Sequence, residues 1–155
     1  MTLINMTELR GKLARNQRLL GIDYGRRRIG LALSDVRLVL ASPFGTLKRR
    51  KLTENAAEIA GIARANDVGG LVVGLPLSMD GSFGPAAQAA RDWARDLAAL
   101  TGLPTAMWDE RLSSAAVNRT LIEADLSREG RAEVVDRSSA AWFLQGALDA
   151  LTATK

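Results

Sequence analysis

The 155-residue sequence contains no cysteine and no histidine. Without thiols, disulfides, thiolate metal sites and cysteine nucleophiles are excluded. Without imidazole, a Ser-His-Asp triad, a histidine general base and a histidine-ligated metal are excluded as well. Any catalysis must therefore use carboxylates, hydroxyls, amines or guanidinium groups. Any bound metal must have oxygen ligands, which favours Mg²⁺ or Mn²⁺.

Long apolar runs are absent too, since no stretch approaches the roughly 18 residues of a membrane span. The first residues, MTLINMTELRGK, show no apolar signal-peptide core. We therefore expect a cytoplasmic protein with no membrane partner.

Acidic residues are scarce in the first third of the chain. Residues 1–51 hold 12 Lys and Arg against 3 Asp and Glu, a balance of +9, whereas the whole chain has a net charge of +4. Of the 21 cations, 17 are Arg, whose planar guanidinium suits bidentate contacts to phosphate. This asymmetry favours a polyanionic partner such as nucleic acid.

The hydrophobic pattern predicts one α/β domain. Three short apolar segments joined by tight connections predict an antiparallel meander, and the strands that follow alternate with helices, which predicts a mixed five-stranded sheet flanked by helices. We expect an N-terminal polar arm or short helix in residues 1–17 and the main domain in residues 18–151. The predicted strands are 18–24, 29–35, 38–44, 70–75 and 104–108, and the predicted helices are 53–66 (capped by Thr53), 85–100, 113–124 and a last one from Arg131 or Ser138 to Leu151.

Carboxylates stand at the ends of the predicted strands. Asp23 follows the first strand, Asp109 and Glu110 follow the last, and Asp136 lies near the predicted start of the last helix. Taken singly, each reads as a turn residue, an ion-pair partner of Arg111 or a helix cap. Because α/β active sites form where strands end, we expect these acids to converge there, and only a divalent cation relieves their repulsion. A pair of such ions would clamp a phosphodiester.

Smaller features refine this hypothesis. Ala140 and Ala147 share a helical face with Asp136, with Phe143 between them, which lets the helix approach the sheet closely. Asp35 is a weaker fifth acid that we interpret as a surface turn residue. Strand alternation puts Asp109 and Glu110 on opposite faces, so only one of them is expected to face the metal.

Two further elements could contact phosphates. Arg26, Arg27 and Arg28 follow Asp23 directly, and the loop containing Ser78, Asp80 and Gly81 precedes a helix N-terminus, where free N–H groups face outward. A solvated turn and a plain strand–helix loop are the alternative interpretations. The loop matches neither a Walker motif nor GxGxxG, which argues against nucleotide binding through those motifs.

Four motifs in order resemble the YqgF/RuvX family, which is similar to RuvC and belongs to the ribonuclease H-like nucleases. They are Gly21-Ile22-Asp23-Tyr24-Gly25 with Arg28-Ile29-Gly30-Leu31-Ala32, then Val73-Gly74-Leu75-Pro76-Leu77 with Asp80-Gly81-Ser82, then Asp109-Glu110-Arg111-Leu112-Ser113, and finally Val135-Asp136 with Ala140 and Leu144-Gln145. The resemblance spans about residues 18–149.

The resemblance implies a ribonuclease H-like fold and metal-dependent hydrolysis of nucleic acid. Asp23, Asp136 and one acid of the Asp109-Glu110 pair, for which we take Glu110, would hold Mg²⁺ or Mn²⁺. Arg28 and Arg111 would support the site or touch phosphate. Processing of the 5′ end of precursor 16S ribosomal RNA, with ribosomal precursor particles as partners, is the leading expectation. Three alternatives stay open: resolution of DNA junctions by a homodimer, RNA binding without catalysis, and a kinase-type ATPase, which a single lobe disfavours. The protein acts as a monomer or a homodimer.

Overall fold

The computed structural model describes the backbone of residues 2–78, 80–112 and 128–153, and the side chains of residues 2–78, 80–111 and 139–152. Within these ranges the chain forms an α/β domain. The helices are α1 (Met6–Lys12), α2 (Leu52–Ala65), α3 (Pro85–Thr101) and α4 (Arg128–Ala153), and the strands are β1 (Arg18–Tyr24), β2 (Arg28–Ser34), β3 (Ala41–Lys48), β4 (Val68–Leu75) and β5 (Thr105–Asp109), with a 3₁₀ turn at Glu110–Leu112.

The five strands form one mixed sheet in the order β3-β2-β1-β4-β5. β1 pairs antiparallel with β2, and β2 antiparallel with β3, because the connections between them are short. β4 pairs parallel with β1, and β5 pairs parallel with β4, each after a helical crossover. The predicted mixed five-stranded sheet is therefore confirmed.

Both edges of the sheet carry an irregularity. Strand β3 contains a β-bulge. Leu31 of β2 pairs with Gly45 and Ala32 pairs with Pro43, so that Phe44 is an extra residue between them. Beyond β5, Ile4 forms a single parallel bridge to Ala106, and its amide donates to the carbonyl oxygen of Thr105. Neither edge presents a plain, continuous ladder.

Alternation along the central strands sends side chains into two cores. Leu20 and Ile22 of β1 pack under α2 and α3, whereas Leu19 faces the layer made by α4 and α1. The apolar run in β4 is buried on both faces, as expected for a central parallel strand. The site described below lies on the α4 side of this sheet.

Helix ends differ from expectation in three places. Helix α2 begins at Leu52 with Lys51 before it and no side-chain cap, so the prediction that Thr53 caps it is wrong. The N-terminal segment, predicted as a polar arm or short helix, is a helix with a capping box between Asn5 and Glu8, and its Met6 is buried.

The last helix also begins earlier than predicted. Because α4 starts at Arg128, Asp136 is its ninth residue and is neither a helix cap nor a first-turn acid. Helix α3 begins at Pro85, and Gly102 follows its end in the left-handed conformation. The predicted helix 113–124 lies outside the described residues, and no helix in the described part of the chain is long and apolar enough to cross a membrane.

Candidate active site

Among the side chains that the structure describes, Asp23 is the buried acid. It lies near the end of β1, is only 8% exposed, and pairs across β2 with Gly30. Its neighbours of the same parity, Leu19 and Gly21, face α4, so strand alternation places Asp23 on that side too. A carboxylate buried there has a large desolvation cost and needs a compensating group.

The Glu110 carboxylate lies on the same face of the sheet, in space that a glycine leaves free. A Cβ atom on Gly74 would stand 2.7 Å from Oε1 of Glu110 and 2.8 Å from the ring of Phe143. Ile22 pairs with Val73, so Asp23 and Gly74 follow at the next position of their adjacent strands. The missing side chain at Gly74 therefore makes room for the Glu110 carboxylate beside the strand position of Asp23.

Asp109 has a different partner. Its carboxylate accepts hydrogen bonds from Nε, Nη2 and the backbone amide of Arg111, with an Nη2–Oδ2 distance of 2.8 Å. Burial acts to raise the pKa of Asp109, but the hydrogen bonds and charge of Arg111 outweigh it and hold that pKa below its ordinary value. The structure thus brings Glu110, and not Asp109, to the Asp23 side of the sheet.

Helix α4 approaches the sheet as closely as the sequence predicts. A Cβ atom on Gly21 would lie 3.0 Å from Cβ of Leu144 and 3.3 Å from the carbonyl oxygen of Ala140. At its other end, the carbonyl oxygen of Leu151 accepts a hydrogen bond from Arg10 of α1. The backbone of Asp136 lies one turn before Ala140, while its side chain is outside the described side chains.

Arg111 also connects the loop that contains Ser78, Asp80 and Gly81 to the end of β5. Its guanidinium lies over Gly81, where a Cβ atom would be 3.5 Å from Nη1. Gly81 has φ +87°, which favours glycine, and its amide donates to the carbonyl oxygen of Ser78. Asp80 accepts from the amide and side chain of Ser82, and these bonds and the charge of Arg111 lower its pKa. The loop residues predicted to touch phosphate are therefore grouped around Arg111.

The basic turn between β1 and β2 is fixed by a residue that sequence reasoning missed. Nη1 of Arg49 donates to the carbonyl oxygens of Gly25 and Arg26, and Nη2 donates to the hydroxyl of Tyr24. Arg49 also stacks 4.2 Å above the Tyr24 ring, which stacks in turn on Trp93 at 4.3 Å. Arg26 and Arg27 are exposed and Arg28 is half-buried, all at the Asp23 end of β1.

Asp35 belongs to another part of the molecule. It lies in the β2–β3 turn and accepts hydrogen bonds from the amides of Val39 and Leu40. Burial acts to raise its pKa, but these backbone bonds outweigh it and hold the pKa below the ordinary value. The interpretation of Asp35 as a turn residue is confirmed.

The candidate metal ligands at this site are carboxylate oxygens. The chain has no His or Cys, and the space at Gly74 receives the Glu110 carboxylate beside the strand that carries Asp23, so these oxygens fit Mg²⁺ or Mn²⁺. Among the side chains that the structure describes, no three acids come together as a metal-binding group. The third predicted ligand, Asp136, is outside them.

Comparison with known proteins adds sequence relatives. The family model "RuvX: Holliday junction resolvase" matches residues 17–150. A protein of Gluconacetobacter diazotrophicus named "Putative pre-16S rRNA nuclease" is 66% identical over 151 residues, covering 97% of this chain and 98% of that protein. A protein of Acidiphilium cryptum with the same name is 62% identical over 151 residues, covering 97% and 96%.

Solved structures agree on the architecture. RuvC of T. thermophilus, in complex with Holliday junction substrate, superposes with a TM-score of 0.56 and 15% identity, covering 89% of this chain and 97% of RuvC. A second structure of Thermus thermophilus RuvC gives 0.53 and 14%, covering 89% and 98%. Identities this low establish the fold alone, which is the ribonuclease H-like fold that the sequence predicts.

Proposed function

Because the chain belongs to the RuvX family, we propose that it is a nuclease that hydrolyses phosphodiester bonds in precursor 16S ribosomal RNA. Residues 18–151 carry this activity, and residues 1–17 support it by packing α1 into the core. Precursor particles of the small ribosomal subunit are the proposed partner, because they present this RNA.

One observation carries the proposal, namely the Glu110 carboxylate in the space left by Gly74, next to the strand position of buried Asp23. An ordinary core position would hold an apolar side chain there. Carboxylates from two strands that converge in this way suit cation-assisted phosphoryl chemistry, and histidine is not needed.

Each side chain has a proposed part in the reaction. Asp23, Glu110 and Asp136 would hold Mg²⁺ or Mn²⁺, which supplies an activated water and neutralises charge on the phosphate. Arg111 keeps Asp109 away from the site and holds the Ser78–Gly81 loop. Arg26, Arg27 and Arg28 face the flanking phosphates from the β1–β2 turn.

The first prediction compares the adjacent acids Asp109 and Glu110. Glu110→Gln should lower cleavage of a precursor 16S RNA fragment by about a hundredfold or more, since loss of an outer-shell partner alone costs about 10–100-fold. Asp109→Asn, the matched control, should stay within about tenfold of the wild type. The measurement is single-turnover cleavage in Mn²⁺, and Asp23→Asn should behave like Glu110→Gln.

Metal removal gives an independent test. Cleavage should stop in EDTA and return on adding Mg²⁺ or Mn²⁺, while thermal unfolding confirms that the fold persists. Equal cleavage with and without EDTA would contradict the proposal, as would a Glu110→Gln variant that cuts at the wild-type rate.

The family description favours one other function, the cleavage of four-way DNA junctions. Symmetric cutting of two strands requires a two-fold dimer, whereas RNA trimming does not. Competition between the RNA fragment and a four-way junction, combined with light scattering, distinguishes the two. RNA binding without any cleavage would point to a ribosome-assembly factor.

A further inference from the structure

The sheet register places a basic region on the same face of the sheet as Asp23. Across β2 and β3, Asp23 pairs with Gly30, and Gly30 pairs with Thr46. In the next row, Arg28 pairs with Lys48. Directly opposed residues of antiparallel strands point to the same face, and so do residues two apart. Arg28, Thr46 and Lys48 therefore lie on the same face of the sheet as Asp23.

These residues line a real depression. Arg27, Arg28, Thr46 and Lys48 surround an open cavity of about 430 Å³. Gly30, between Asp23 and Thr46 in the row, has no side chain. Two strand spacings separate the Asp23 and Thr46 positions, about 10 Å in total. The depression is thus close enough to receive a phosphate adjacent to one held at the carboxylates.

Among the described residues of β2 and β3, the charge has one sign. Residues 24–34 and 41–51 contain seven cations and, apart from Asp23 and Glu110 at the site itself, the nearest acids in sequence are Asp35 in the far turn and Glu54 in α2. On the opposite side of the site, beyond β4, lie Asp80 and Asp109. A polyanion that reaches the site is therefore drawn towards β2 and β3, since Arg111 on the β5 side is already paired with Asp109.

Not every cation here is available to a ligand. The Arg49 guanidinium already contacts Tyr24 and the carbonyl oxygens of Gly25 and Arg26. Lys48 and Arg50 on either side of it are exposed. The contacts to an incoming phosphate backbone therefore fall to these two flanking residues, together with Arg27, Arg28 and the Thr46 hydroxyl.

We propose that the β2–β3 depression, together with the exposed Arg50 that follows β3 in the chain, binds the phosphate backbone of the substrate beyond the bond that is cut, through Lys48, Arg50 and Thr46. This inference rests on the proposed function for its orientation relative to the cut, but the surface is a nucleic-acid site in its own right. The nucleic acid crosses the sheet from the carboxylates to β3.

The test measures binding in EDTA, so that no cleavage intervenes. Lys48→Gln/Arg50→Gln should bind a 20-nucleotide single-stranded RNA roughly tenfold more weakly. Its plot of log Kd against log salt should lose about 1.5 of slope, because each phosphate contact contributes about 0.7 to 1. The charge-preserving Lys48→Arg/Arg50→Lys should bind within about twofold of the wild type.

A matched control removes the same charge from the ends of the two helices that precede β1 and β4, whereas Asp23 lies near the end of β1. Lys12 and Arg64 are exposed at the ends of α1 and α2. Lys12→Gln/Arg64→Gln should leave affinity and slope close to wild type. Equal losses in the two double variants would mean that net charge alone governs binding, and wild-type affinity in Lys48→Gln/Arg50→Gln would place the RNA elsewhere; either result overturns the inference.

These outcomes are independent of cleavage. If the wild type never cuts RNA in Mn²⁺ while Lys48→Gln/Arg50→Gln still loses affinity for it, the proposed function fails and the basic surface stands. If the wild type cuts RNA while Lys48→Gln/Arg50→Gln binds normally, the proposed function stands and the surface fails.

Discussion

Two glycines on the α4 side of the sheet have separate tasks. Gly21 lets the helix backbone approach, with Ala140 and Leu144 in contact, whereas Gly74 accommodates Glu110 and Phe143. A methyl group at either position overfills a packed layer, which costs about 1–3 kcal/mol. Only at Gly74 does the displaced atom belong to a proposed site residue.

Gly74→Ala should therefore lower cleavage well beyond its effect on stability, by about tenfold or more at a temperature where the variant is folded. Gly21→Ala should destabilise by a similar amount and keep most of its activity. Chemical denaturation and single-turnover cleavage measure the two quantities on the same samples. If both variants lose activity only in proportion to stability, Gly74 has a packing role alone.

The sequence predicts the strand positions of the acids but not how they are separated. Asp109 and Glu110 are adjacent, and alternation alone says that they diverge without saying which one faces Asp23. Two contacts determine which acid lies on the Asp23 side. Arg111 binds Asp109, and Gly74 leaves space for the Glu110 carboxylate. Gly74 stands inside an apolar strand, where an isolated glycine is itself a sign of close approach.

At the scale of elements, the β1–β2 turn depends on the chain segment that leaves β3. Besides the side-chain contacts of Arg49, its backbone amide donates to the carbonyl oxygen of Arg27. The turn that presents three arginines is thus fixed by a residue that is distant in sequence. A single-sequence pattern gives no sign of this, because the pairing of Arg49 with the turn is a tertiary contact.

Arg49→Lys tests this element directly, since it keeps the charge and removes the fork that contacts Tyr24 and the turn carbonyls at once. Cleavage should fall by about fivefold, the equivalent of one hydrogen bond of about 1 kcal/mol. The salt slope of RNA binding should not change. Arg64→Lys, at the exposed end of α2, is the control and should leave the cleavage rate as it is. A lower salt slope in Arg49→Lys would instead mean that Arg49 binds phosphate.

Helix α1 illustrates a second element-level result. The sequence predicts a polar arm or short helix here, and the structure shows a helix with an Asn5–Glu8 capping box in which Met6 and Leu9 are buried. Asn5→Ala should lower the free energy of unfolding by about 1 kcal/mol. Urea denaturation measures it, and Thr7→Ala, in the same helix, should have a smaller effect.

For the whole molecule, the sequence predicts the layer order and the strand sequence, since hydrophobic periodicity and short connections leave few topologies. It does not predict the two cores with their helix assignments, or the row that joins Asp23 to Thr46 through Gly30. That row depends on the exact register of three strands. One residue of slip would turn Lys48 to the opposite face.

The stability of the whole fold should depend on acid pH through two carboxylates. Asp35 and Asp109 both have a pKa below the ordinary 3.8 in the folded protein. Their contribution is therefore complete above about pH 3.8, where the unfolded chain is also ionised, and is lost as the pH falls through the lower folded values. In the double variant Asp35→Asn/Arg111→Gln, the urea unfolding midpoint should change less between pH 5 and about pH 2.5 than in the wild type. A change equal to that of the wild type would contradict the assignment.

The two irregular sheet edges have a consequence for the purified protein. Pro43 has no amide hydrogen to offer a neighbouring molecule, the extra Phe44 distorts β3, and Ile4 covers the rim of β5. Molecules that collide edge to edge find no template on which to stack into fibrils. Tags or truncations that disturb the first four residues would uncover the β5 rim, so the N-terminus is the end to leave native when the protein is concentrated for crystals.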